Sequence, residues 1–167
     1  AQKFKELGVK KVVTLSPHAY NSMKNKYPKL GDFEVFHYTQ LLLEMIQQGK
    51  IELSELKAKV TYHDPCFLGR YNGVYDAPRE ILKSIPGIEL IEMERTRENS
   101  FCCGGGSGNF VMDLLGRSEE SPSRIRVREA HETGAEILVV ACPSCMTMLD
   151  DAVKDEGLEG ELTVKDI

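Results

Sequence analysis

The sequence has 167 residues, 41% hydrophobic and 28% charged, ordinary values for one globular domain with a sizeable core. Its formal net charge of −5 weighs against nucleic acid as a partner; no apolar run approaches the roughly 18 to 20 residues that span a bilayer, and no signal peptide is visible. Five cysteines without a secretory signal favour metal or redox chemistry over a disulfide framework, in a reducing and hence cytoplasmic compartment.

In chain order, residues 1–7 read as the end of a helix closed by Gly8. The start at Ala1 inside a helix, without Met, leads us to expect a piece of a longer polypeptide. The β-branched run 9–15 reads as a buried strand. Ser16-Pro17-His18 then opens a helix to about Lys26, with Ser16 as its N-cap. A second strand over 33–38 leads into a helix capped by Thr39 and running through Gln48, its inner face Leu41, Leu42, Met45 and Ile46. A third strand, 59–63, ends in Asp64-Pro65-Cys66. After a glycine-containing loop, a helix over 77–84 precedes a fourth strand, 88–93. Then come Cys102-Cys103-Gly104-Gly105-Gly106, a helix from about Ser107 to Leu115, and another from Ser121-Pro122 to about Thr133. A fifth strand, 136–141, runs into Cys142-Pro143 and the last long helix. Residues 162–165 suggest a short sixth strand.

Alternating strands and helices predict an α/β, Rossmann-like fold with a mostly parallel sheet flanked by helices. Ligands of such sheets sit beyond the carboxyl ends of the strands. Ser16, Cys66 and Cys142 directly follow strand ends, and Cys102 and Cys103 follow the fourth strand after residues 94–101. Separate segments can thus converge on one edge.

An internal pseudo-repeat is also visible. Shifted by 126 residues, 7–19 lies over 133–145, with Ser16 where Cys142 stands and Ala19 where Cys145 stands. With a one-residue slip, Tyr38-Thr39 falls over Lys165-Asp166. We therefore expect residues 1–50 to be the C-terminal part of a first, degenerate copy and 51–167 a second copy, packed as one unit.

All five cysteines fit one pattern. Thirty-five residues separate Cys66 from Cys102, thirty-eight separate Cys103 from Cys142, and Cys142 to Cys145 is a CxxC. Adjacent cysteines rarely pair with each other, because the strained ring conflicts with disulfide geometry. They are better placed to offer two thiolates to one inorganic centre. Thiolates suit iron–sulfur clusters and zinc alike. A four-cysteine zinc site commonly uses two short-spaced pairs, and here the fifth cysteine would be surplus. Simple dithiol redox at the CxxC leaves the CCGGG loop unexplained. A nucleotide site is improbable, since neither GK[ST] nor GxGxxG is present. Residues 104–108 and the helix N-terminus at Cys142 and Cys145 can turn N–H groups toward anionic sulfur.

This pattern, with the stretches HDPCFLGRYNGVYDAPREIL (63–82) and MERTRENSFCCGGGSGNF (93–110), resembles the cysteine-rich CCG domain of heterodisulfide reductases and related iron–sulfur oxidoreductase subunits. The resemblance implies a non-cubane 4Fe–4S cluster held by Cys66, Cys102, Cys103, Cys142 and Cys145, with Gly104 and Gly105 beside it. It implies an oxidoreductase component that transfers electrons, and disulfide reduction at the cluster as a further expectation. The alternatives are an electron-relay module without catalysis of its own and a zinc-stabilised structural module. The implied partners are the rest of a longer chain, a flavoprotein or ferredoxin-type redox partner, and a membrane-anchored subunit that would hold it at the inner face of the membrane. The family usually carries two copies, and many members have cysteines where Ser16 and Ala19 stand, which places a first-copy cluster in doubt.

His63 and Asp64 have two readings: a strand end followed by an Asp-Pro turn, or support for the cluster site. His18 could face the same cleft. Arg95 and Arg97 read as solvated surface, with acid partners or a substrate anion as the sharper reading. His37, His131 and the acidic run 150–156 read as ordinary surface.

Overall fold

Short β-branched runs such as Lys11–Thr14 and Ile137–Val140 favour extended backbone, and in the computed structural model each is a strand followed at once by a helix. The structure describes residues 2–27, 33–106, 108–112 and 118–167. The elements run α1 (Gln2–Glu6), β1 (Lys11–Thr14), α2 (Pro17–Lys26), β2 (Glu34–His37), α3 (Tyr38–Gln47), β3 (Ala58–Tyr62), α4 (Asp76–Ser84), β4 (Ile88–Leu90), α5 (Asn109–Met112), α6 (Pro122–Glu132), β5 (Ile137–Val140), α7 (Pro143–Asp155) and β6 (Thr163–Asp166). The fold is α/β, as expected. The described part of the helix predicted over 107–115 is α5; the rest of it lies outside the described residues.

The strands form two sheets rather than one. β1 pairs with β2, and a four-stranded sheet has the order β4-β3-β5-β6. Every pairing is parallel. Lys11 pairs with Glu34 in the first sheet, and Ile137 pairs with Thr163 in the second.

Two apolar clusters fill the interior. One joins α6, α7 and the sheet through Val127, Leu138, Val140, Leu149 and Leu162. The other centres on Tyr20, Val60, Tyr62, Leu68, Leu82 and Val139. Several local expectations need correction. β1 is half exposed rather than buried, with Val13 45% and Leu15 65% accessible, because among the described residues its two-stranded sheet leaves that side-chain row uncovered. In α3, Leu41 is exposed and Leu42, Met45 and Ile46 are half-buried, so the helix rests on α4 by a shallow face. Its N-cap is His37, not Thr39: the His37 N–H donates to the Gln40 side chain at 3.0 Å. His37 is fully buried rather than on the surface. Its ring nitrogens meet Thr39 Oγ1 at 2.9 Å and the Leu15 carbonyl at 3.3 Å, which lets an imidazole sit in the interior. β4 stops at Leu90, so Met93 belongs to the connection leading to Cys102.

Candidate metal centre

The carboxyl ends of β3 and β5 lie side by side, which brings the segments after them together. Cys66 follows β3, and Cys142 is the N-cap of α7 with Cys145 one turn into it. Cys102 and Cys103 arrive on the connection from β4. One pocket is lined by all five cysteines together with Pro17, His18, Pro65, Phe67, Gly105, Gly106 and Ser144. All five are free thiols; Cys103, Cys142 and Cys145 are buried.

The thiols influence one another in sequence around the pocket. Cys102 receives the Cys103 and Cys66 thiols, and with the Gly104 N–H at 3.3 Å these donors hold its thiol far below the ordinary range. The neighbours that keep their protons shift the other way. Cys66 is pushed up by its bond to Cys102, and Cys103 is pushed up to about 12 by the same sulfur. The Cys145 thiol donates to Cys103 at 3.3 Å and is pushed up by that contact. Cys142 is lowered to about 7, first by Cys145 and then, against the opposing effect of burial, by the N–H groups of Cys145 and Ser144 at the start of α7. The equivalent N-cap of α2 is Ser16, whose Oγ accepts the Ala19 N–H at 3.5 Å.

Two glycines answer to geometry. Gly104 sits at φ +79°, where a side chain would be strained. At Gly105 a Cβ would come 3.0 Å from Met148 Cγ and 3.7 Å from the Cys103 sulfur. Its bare backbone lets its N–H reach the Cys103 sulfur.

Of the residues that hold the cysteine segments in place, the sequence offered Asp64 as one reading but did not disclose its partners. Asp64, 3% exposed, takes a bidentate pair from the buried Arg79 guanidinium, both contacts 2.8 Å. Arg79 also binds Glu92, Thr96 Oγ1 and the Tyr75 carbonyl. The second Asp64 oxygen accepts the Arg97 N–H at 2.8 Å, and the Asp64 carbonyl accepts Ser100 Oγ at 3.3 Å. Asp64 thereby ties the segment carrying Cys66 to the segment leading into Cys102. Arg97 has φ 56°, unusual for a residue with a side chain, and this bond helps to hold it there. The surface readings of Arg95 and Arg97 give way to paired ones. Arg95 binds Glu129 and lies over the Phe101 ring, and Arg97 pairs with Asp76 at 2.9 Å.

His63 is also buried rather than a simple strand end. Arg126 Nε donates to its Nδ1 at 3.2 Å, and burial, then the Arg126 charge, lowers its pKa to about 3. A ring nitrogen of His63 and the sulfurs of Cys103 and Cys145 lie within 4.8 Å of one another. His18 faces the shared pocket, its ring 4.2 Å from that of Phe67. His131 stays at the surface, paired with Glu161 at 2.9 Å. In the acidic run, Glu156 departs from expectation by binding both Arg124 and Arg128. Five soft sulfurs around one space, backbone N–H groups aimed at them, and a buried ring nitrogen beside them suit an anionic iron–sulfur group.

Comparison with known proteins agrees with this chemistry. Residues 60–150 match the profile of the CCG family, the cysteine-rich domain. The chain is 44% identical, over 98% of its length, to the probable iron-sulfur-binding oxidoreductase FadF of Bacillus subtilis, and covers 23% of that protein. It is 39% identical over 99% of its length to the EtfAB:quinone oxidoreductase of Syntrophomonas wolfei, covering 24% of it. It is 40% identical over 96% of its length to one subunit of the dihydromethanophenazine:CoB–CoM heterodisulfide reductase of Methanosarcina barkeri, covering 39% of that subunit. The chain thus spans about a quarter to two fifths of these relatives. A relative from Chromohalobacter salexigens is described as a probable membrane-anchored ferredoxin; among the described residues here, no helix is long and apolar enough to cross a membrane.

Proposed function

The chain belongs to the CCG family of cysteine-rich domains, and from that premise we propose that it is the cluster-binding part of an iron–sulfur oxidoreductase. Cys66, Cys102, Cys103, Cys142 and Cys145 hold a 4Fe–4S cluster of the non-cubane kind. When bound, the cluster supplies one-electron transfer, and at an open site it supplies the electrons for reducing a disulfide.

The observation that carries this reading is the lining of one pocket by all five thiols. The protein's own part is positional and electrostatic. The Asp64–Arg79 tie sets Cys66 against Cys102, and the N–H groups of Gly104, Gly105, Ser144 and Cys145 offset negative charge on sulfur. Residues 1–50 are the C-terminal part of a degenerate first copy. They close one wall of the pocket with Pro17 and His18 and supply no thiol. The remainder of a longer polypeptide, a flavoprotein or ferredoxin-type partner and a membrane-anchored subunit complete the electron path, on the cytoplasmic side.

Anaerobic reconstitution with iron and sulfide tests the proposal. About four of each per chain, with a paramagnetic oxidised state, is the expected result. Zinc found in place of iron and sulfide on metal analysis would instead make this a zinc module, and no metal at all would reduce the site to dithiol chemistry.

A further inference from the structure

His63 is the first residue after β3, and its backbone N–H donates to the Val139 carbonyl at 2.9 Å, fixing it at the sheet edge. The residue is 1% exposed. At Nδ1 it meets Arg126 Nε. A guanidinium nitrogen only donates, so Nδ1 must offer its lone pair and the neutral ring carries its proton on Nε2. Arg126 has little freedom to turn away. It is fully buried and its other nitrogens donate to the Arg95 carbonyl at 2.7 Å, Glu129 at 2.9 Å and Ser100 Oγ at 3.5 Å. His63 Nε2 is buried and has no hydrogen-bond partner among the described residues. With Nδ1 taken by Arg126, Nε2 is the nitrogen left to face Cys103 and Cys145. A buried donor without an acceptor is costly, so its presence here points to an acceptor that the pocket is built to receive.

We propose that His63, through Nε2–H, is a hydrogen-bond donor to the sulfur of the group held in this pocket, and that Arg126 is the positioning residue that fixes its tautomer. The inference rests on the cluster reading above. A donor aimed at cluster sulfur stabilises the more reduced, more negative state and so raises the reduction potential. The same tautomer argues against His63 as an iron ligand. Ligation through Nε2 would move the proton to Nδ1, directly against the Arg126 N–H.

The test compares the reconstituted chain with its His63→Leu and His63→Gln variants, reading iron and sulfide content, the paramagnetic resonance spectrum and the midpoint potential. His63→Gln can still donate through its amide and should stay near the unmodified potential. His63→Leu should keep its iron and shift to lower potential. An unshifted potential in an iron-replete His63→Leu overturns the inference while leaving the cluster reading intact. Loss of iron in both variants would make His63 a ligand and also overturn it. Failure of the unmodified chain to take up iron and sulfide defeats the cluster reading and this inference together. Nitrogen-15 NMR of the metal-free chain reads the tautomer without the cluster: a proton on Nε2 supports the assignment, and one on Nδ1 refutes it.

Discussion

Cys102 is where the charge of the pocket gathers, since its sulfur receives two thiols and one backbone N–H. Cys102→Ser replaces the soft thiolate with a weakly acidic, harder oxygen. We predict loss of the non-cubane resonance signal, measured against iron content; a wild-type spectrum at full iron would rule out ligation by five cysteines. A crowding effect is expected beside it. Gly105→Ala places a methyl against Met148 and the Cys103 sulfur, and should cost about 1–2 kcal/mol in urea denaturation. His37 governs a different property, the response to acid. Burial lowers its pKa to about 4 from an ordinary 6.5. The unfolded chain binds a proton near pH 6.5 that the folded chain refuses until about pH 4. Its contribution is therefore complete above pH 6.5 and is lost as pH falls toward 4, by no more than about 3 kcal/mol. In His37→Leu part of the slope of stability over that window should vanish; an unchanged slope would mean that His37 does not titrate there.

At the scale of elements, strands and helices were legible because each rests on local signals: β-branched runs, Ser-Pro and Cys-Pro starts, glycines past helix ends. The cysteines were legible for the same reason, as a spacing. The Asp64 network was not, because its members stand 15 to 36 residues apart with no periodicity to join them. Nothing local distinguishes Arg79, which is buried, from Lys83 on the same helix, which is exposed. The two cations should behave differently when removed. Arg79→Met leaves the Asp64 carboxylate buried without its partner and should destabilise the fold by about 3–5 kcal/mol. Lys83→Met breaks only an exposed pair with Glu80 and should cost less than about 1 kcal/mol. Chemical denaturation of the two variants checks this, and equal losses would show that Asp64 has other sufficient support.

For the whole molecule, the alternation of strands and helices was visible in sequence but the division into two sheets was not, since pairing depends on which strands lie adjacent in space. The consequence concerns cooperativity. Among the described residues of 1–50, Tyr20 is the one large apolar side chain that is fully buried, and its cluster is made with Val60, Tyr62, Leu68, Leu82, Val139 and Ala141. Further ties cross to the second part: Tyr38 to Asp166 at 3.0 Å, Asn72 to Asn21 at 3.0 Å, and α3 against α4. The first part therefore has little core of its own, and two parallel strands do not hold together without one. Residues 51–167 contain the other cluster entirely. A peptide of residues 1–50 should show no cooperative thermal transition by circular dichroism. In the intact chain, probes in the two parts should report one coincident unfolding transition, and Tyr20→Ala should lower its midpoint for both, at a cost of about 3–5 kcal/mol. Two separated transitions, or a folded 1–50 peptide, would show that residues 1–50 are an independent unit packed against the rest rather than a wall built onto its core.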